Sequence, residues 1–245
     1  MKKLTIQLLI GLLLITSGFS KKLYADNTNK TSKELSVKQQ NIIPIAAYTA
    51  VGELEKLKPA LNDGLDTGLT INEIKEAIVH LYAYCGFPRS IRGLQTFMEV
   101  LDERKAKGII DETGAEASPV NDNRTKYERG KANLEALIGR PLDGPQRGYA
   151  AFAPVIEIFL KEHLFADLFD RDILTYAERE LVTVSVLASI GRVEPMLRSH
   201  LAICLNLGYT PEQLNEFTGI IKTTIGKKAA KNAQAVLNEV LENRE

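Results

Sequence analysis

The sequence predicts an all-α protein, and three observations carry that prediction. Apolar residues recur at helical spacing, no stretch alternates apolar and polar as a half-buried strand would, and helix-start and helix-stop signals recur at a fixed offset along the chain. The helical spacing is clearest at Ile91, Leu94, Phe97, Met98 and Leu101, and again at Ala229, Ala233, Val236, Leu237, Val240 and Leu241.

The fixed offset predicts an internal repeat. Residues from Leu35 to Arg104 can be laid over Leu174 to Arg244, Ser36 falling on Thr175 and, after one insertion, Thr70 on Thr210. Ser36-x-x-Gln39, Thr70-x-x-Glu73, Thr175-x-x-Glu178 and Thr210-x-x-Gln213 are capping-box patterns, in which a hydroxyl and a side chain three residues on satisfy the open N–H groups of a helix start. Gly52 and Gly191, Gly68 and Gly208, and Gly86 and Gly226 are the matching stops, where a left-handed residue is wanted. Each copy therefore reads as four successive helices. Between them, residues 107–123 are rich in Gly, Glu, Asp and Asn and read as an exposed linker. A helix from Arg124 to Ile138, a turn-rich RPLDGPQRG and an apolar stretch from Tyr149 to Phe169 precede the second copy, giving it a prefix that the first lacks. The expected units are 1–25, 35–106, the linker 107–123, and 124–245.

Residues 1–25 differ from the rest. MKK gives a basic start, Leu4 to Ile15 an apolar run too short to span a bilayer comfortably, and TSGFSKKLYAD a polar close. This reads as a secretory signal peptide cleaved after Ala25, with an uncleaved membrane anchor as the alternative; either way the protein is expected to be exported, to a periplasm. The remainder, 44% hydrophobic and 25% charged over the whole chain, can bury an ordinary globular core. Losing Lys2, Lys3, Lys21 and Lys22 turns a formal charge of zero mildly acidic, and with no basic cluster nucleic acid is a poor partner. Cys85 and Cys204 lie in no CxxC. Both sit in apolar helical patterns, as buried free thiols or as a disulfide pair.

The run from Tyr127 to Leu241 resembles a carboxymuconolactone decarboxylase domain: it begins YERGKANLEALIG, passes through LTYAERELVTVSVLASIGR and reaches RSHLAICLNLGYTPEQL. The first copy, with LTINEIKEAIVHLYAYCGFPRSIRGLQTFMEVL, is similar to the C-terminal part of the same domain. The resemblance implies an alkylhydroperoxidase D-like helical bundle, two fused repeats of which the second is a complete domain, assembled as a homo-oligomer. In one branch of the family it implies small acidic or lactone substrates, in another peroxidase chemistry that runs on a CxxC. Here Val193, Glu194, Pro195 and Met196 occupy that region, so no thiolate is available and a disulfide-cycling peroxidase is disfavoured.

By the same resemblance Glu180 and His200 are candidate catalytic residues. By pattern alone Glu180 is a first-turn acid favoured by the helix dipole, and His200 a histidine among apolar neighbours. His80 and Tyr84, in HLYAYCGFP, match the family's histidine and tyrosine pattern; His163 has no match and reads as surface. The two copies keep opposite halves: Asn41 and Ala60 stand where the second copy has Glu180 and His200, and Ile220 and Thr224 where the first has His80 and Tyr84. This predicts one composite site per chain, with His80 joining Glu180 and His200 as catalytic residues and Tyr84 binding substrate.

Arginine suits a carboxylate substrate because its guanidinium offers paired donors. Arg198 and Arg89 are the candidate clamps. In that reading an arginine holds the acid while His200 and Glu180 protonate carbon as carbon dioxide leaves. No cofactor is expected, and no cluster has metal-ligand spacing. The alternative from a different class is a non-catalytic helical oligomer that binds a small ligand.

Overall fold

A computed structural model describes residues 32–244. The expected signal peptide lies outside the described residues. Helices α1 (Val37–Val51), α2 (Leu54–Asp66), α3 (Ile71–His80), α4 (Tyr82–Cys85) and α5 (Phe87–Ala106) form the first half. Then come α6 (Lys126–Ile138), the short α7 (Tyr149–Phe152) and α8 (Pro154–Phe159), and a π-helical segment, π1 (Leu160–Leu168). The second half closes with α9 (Tyr176–Ile190), α10 (Glu194–Asn206), α11 (Pro211–Thr224) and α12 (Lys227–Glu242). There is no strand among the described residues, so the architecture is all-α, and no described helix is long and apolar enough to cross a membrane.

Local chemistry explains where these helices start and stop. All four anticipated capping boxes form, at Ser36, Thr70, Thr175 and Thr210, each hydroxyl accepting from the backbone N–H three residues on. A fifth, Thr125 with Glu128, opens α6. Gly52 at φ 76° and Gly191 at φ 63° end the matched helices α1 and α9, in the left-handed region that side chains resist. Helices α1 and α9 are each 15 residues long, and α2 and α10 each 13.

Two features depart from the sequence reading. In the first half the third helix breaks at Leu81 into α3 and α4, whereas α11 runs on unbroken. The apolar stretch before the second copy is three short pieces ending in π1, whose wider turns accompany a very close approach to α6. A Cβ on Gly130 of α6 would stand 1.7 Å from the Lys161 carbonyl oxygen, so only glycine fits there.

The linker is irregular and mostly exposed, as its composition predicts, yet it is pinned. Arg104 forks onto Asp111, and the carbonyls of Glu112 and Thr113 accept from the first-turn N–H groups of Ile71 and Asn72. The connecting strap thereby satisfies donors at the start of α3 that would otherwise lack partners.

Helix α1 packs along α9. Its Ile42, Ile43, Ala46, Ala47 and Ala50 belong to the main core together with Leu181, Val182, Val184 and Leu201. Its other face, at Ile45, joins Leu57, Leu61, Ile74, Phe97 and Val100 in a second core confined to the first half. One helix thus serves two cores.

Candidate functional site

The candidate site lies where α3 and α4 of the first half meet α9 and α10 of the second. Helix α9 is buried on nearly every face. Such a helix is ordinarily apolar throughout, yet this one carries Arg179, Glu180 and Thr183. Each needs a partner, because burying an unpaired polar or charged group is costly.

Glu180 is fully buried. Its Oε2 lies 2.6 Å from Nδ1 of His200, the length of a charge-assisted hydrogen bond. With the carboxylate as acceptor, the imidazole carries its N–H at Nδ1, an assignment made from the hydrogen-bond partner. Nε2 makes no hydrogen bond among the described residues. The His200 side chain keeps 14% of its surface exposed while Glu180 keeps none, so the pair meets solvent only through the histidine. The other carboxylate oxygen, Oε1, is buried without a partner.

Tyr84 packs edge-on against His200, ring centroids 5.6 Å apart, and lies 5.4 Å from His80. Its hydroxyl is also buried without a partner. The nearby Thr183 hydroxyl eases ionisation but is outweighed. Burial first, and the Glu180 charge second, push the phenol far above its ordinary value, so it is a neutral O–H.

His80 is completely buried. Its Nε2 lies 3.0 Å from the Thr183 hydroxyl, which itself donates to the Arg179 carbonyl at 2.9 Å; Nε2 is therefore the donor in that contact. Nδ1 faces the Arg179 guanidinium at 3.5 Å, and Phe169 packs edge-on against the ring. Burial, then the charges of Arg179 and His200, hold the imidazole well below its ordinary value, so it is neutral.

Arg179 donates through Nη2 to Glu76 and to the Arg171 carbonyl, both at 2.6 Å, while Arg171 forks onto the same Glu76 carboxylate at 3.0 Å. Sequence reading missed this network. Its signal was the i, i+4 spacing of Glu76 with His80 and of Arg179 with Thr183, which puts each pair on one helix face.

The chain thus brings His80, Tyr84, Glu180 and His200 together. Three expectations need correction. His80, expected as catalytic, has both ring nitrogens engaged and no edge exposed, which fits a positioning residue. Arg198 is exposed and paired with Glu239, because two residues from His200 is about 200° around a helix. Arg89 is exposed too, and its guanidinium lies across Gly52, where a Cβ would overlap Nη1. Neither arginine forms a hydrogen bond or ion pair with the pair of Glu180 and His200. His163, read as surface, is half-exposed and contacts Tyr82 and Asp167.

Both cysteines are free. Burial pushes the Cys85 thiol up to about 11, and burial together with Glu180 raises that of Cys204 well above its ordinary value, so neither is a ready thiolate. Among the described residues no group of three or more His, Cys, Asp or Glu side chains could hold a metal ion. An open concavity of about 610 Å³ lies at the far end of α9, lined by residues including Ser189, Arg192, Lys227 and Asn232, and not by Glu180 or His200.

Fold and site together define a helical bundle built around a buried carboxylate and imidazole. Residues 156–239 match the model of the carboxymuconolactone decarboxylase family, and the all-α architecture is consistent with an alkylhydroperoxidase D-like bundle. It is 27% identical to the 4-carboxymuconolactone decarboxylase of Acinetobacter baylyi over 125 residues, 51% of this chain and 92% of the relative. It is 26% identical to an uncharacterized protein of Methanocaldococcus jannaschii over 74 residues, 30% of this chain and 69% of that one.

Proposed function

We propose that the protein is a cofactor-independent lyase or isomerase that moves a proton to or from carbon in a small carboxylate or lactone. The observation that carries this reading is the 2.6 Å pair of Glu180 and His200 with the Tyr84 hydroxyl and Glu180 Oε1 unpartnered beside it. Unpartnered buried polar atoms are what a site holds in reserve for a ligand. His200 exchanges the proton at Nε2, Glu180 fixes its tautomer and orientation, and the neutral Tyr84 O–H donates to oxygen as negative charge develops on the substrate. His80, tied to Thr183 and Arg179, holds the ring of Tyr84 in place. The resemblance to a 4-carboxymuconolactone decarboxylase supports the substrate class.

The test is turnover of carboxymuconolactone and simpler butenolides by the wild type against His200→Ala and Glu180→Gln. Loss of about 10²- to 10⁴-fold in kcat with His200→Ala is expected. Unchanged turnover would remove His200 from the mechanism. A second reading, ligand binding without catalysis, is favoured by the complete burial of Glu180, and total absence of turnover with retained binding would establish it.

The same proposal includes export and assembly. Tyr149, Phe152, Val155, Ile156, Ile158 and Phe159 form an exposed apolar strip on α7 and α8, Phe152 being 92% exposed, which is the kind of surface that copies of a chain bury against one another. Light scattering on the wild type and on Phe152→Asp measures assembly. The mass of the protein purified from its native cell shows whether residues 1–25 are removed.

A further inference from the structure

We infer that the site selects an uncharged carbonyl compound, such as a lactone without a free carboxylate, over a carboxylate. This inference rests on the catalytic reading of Glu180, His200 and Tyr84.

A carboxylate leaving water needs compensation from a cation or several donors, and the strongest is a paired guanidinium fork. The arginines that share the Glu76 carboxylate are already engaged. Arg171 and Arg179 share the Glu76 carboxylate, and Arg179 also donates to the Arg171 carbonyl. What remains of Arg179 is the enclosed Nε–H and one N–H of Nη1, which point in different directions and form no paired fork for a carboxylate. Arg198 pairs with Glu239 on the surface, and Arg89 lies across Gly52. Among the described residues, no lysine or arginine bonds to Tyr84, Glu180 or His200.

The charges also cancel before any substrate arrives. Arg171 and Arg179 stand against Glu76 and Glu180, so a substrate carboxylate would add one negative charge beside Glu180 with no cation of that buried network left to pair it. The open groups suit a neutral molecule instead. Tyr84 offers one O–H donor to a carbonyl oxygen, and Glu180 Oε1 accepts from an enol O–H. His200 Nε2 takes a proton from carbon. In the step this implies, the C–H electron pair moves onto the carbonyl oxygen as a dienolate, and the same proton returns at another carbon. Nothing is oxidised or reduced, and no carbon dioxide leaves.

The experiment follows the ring C–H resonances of the three histidines of the full chain by NMR, with His200 assigned from His200→Gln. Two probes are titrated: a neutral β,γ-unsaturated butenolide, and the same ring bearing a carboxymethyl group. The expected result is a shift of the His200 resonance with the neutral probe at a Kd at least about tenfold lower than with the charged one, and a narrowed gap in Glu180→Gln, whose fold is checked by circular dichroism. Equal or tighter binding of the carboxylated probe, with His200 still responding, overturns the neutral preference and leaves the site intact. No response of His200 to either probe overturns the site, and the preference with it.

Discussion

Helices α1 and α9 have the same length, the same kind of cap and matched glycine stops, and they lie against each other, yet they do opposite work. Where α9 carries Arg179 and Glu180, α1 carries Gln40 and Asn41. Asn41 bonds back to the Val37 carbonyl at an exposed position, and Gln40 reaches Glu216. Helix α1 gives α9 a wall of Ile42, Ile43, Ala46, Ala47 and Ala50. Such a wall keeps water from the charges on α9, and electrostatic interactions strengthen where water is excluded. Two similar scaffolds can therefore share one site if one supplies the polar groups and the other the dry surface.

The contrast is broken most forcefully at Arg179. Arg179→Met leaves Glu76 with only the partly exposed Arg171 and should destabilise by about 3–5 kcal/mol, whereas Gln40→Met on α1 should cost about 1 kcal/mol. Urea unfolding measures both, and equal losses would mean that the network contributes no more than an ordinary hydrogen bond.

His80 gives the next effect, in pH dependence. Its imidazole stays neutral in the fold, so as pH falls below the ordinary value of 6.5 the unfolded chain takes up a proton that the native state refuses. Stability is therefore full above about pH 6.5 and should fall below it by up to about 1.4 kcal/mol per pH unit from this group. Denaturation between pH 6.5 and 5 should show that slope in the wild type and a shallower one in His80→Asn.

Caps probe what the two helices share. Ser36→Ala and Thr175→Ala should each cost about 1 kcal/mol, and unequal losses would show that the matched starts are not equivalent in energy. The smallest effect is expected from Arg198→Ala, about 0.5 kcal/mol or less for a solvent-exposed ion pair, with His200 resonances unmoved.

Much of this architecture is written locally. Ser36, Thr70, Thr175 and Thr210 mark helix starts because hydroxyl and N–H are only three residues apart, and Gly52 and Gly191 mark stops because their φ is positive. The juxtaposition of His80 and Tyr84 with Glu180 and His200 was readable from complementary losses in the two copies. What was not readable is tertiary. Thr183 meets a histidine 103 residues away, and the Arg179 side chain meets Glu76 across the same separation, which no periodicity encodes. Segment π1 and the break at Leu81 depend on how closely neighbouring backbones approach, as Gly130 against Lys161 illustrates.

The double duty of α1 bears on what can be cut out of this protein. The family match begins at residue 156, but Ile42, Ile43, Ala46, Ala47 and Ala50 come from more than a hundred residues earlier and seal the same core. A recombinant fragment trimmed to the matched boundaries would present that wall's footprint on α9 to water and should aggregate. The stretch that carries the family match and the set of residues that close its core are different parts of this chain.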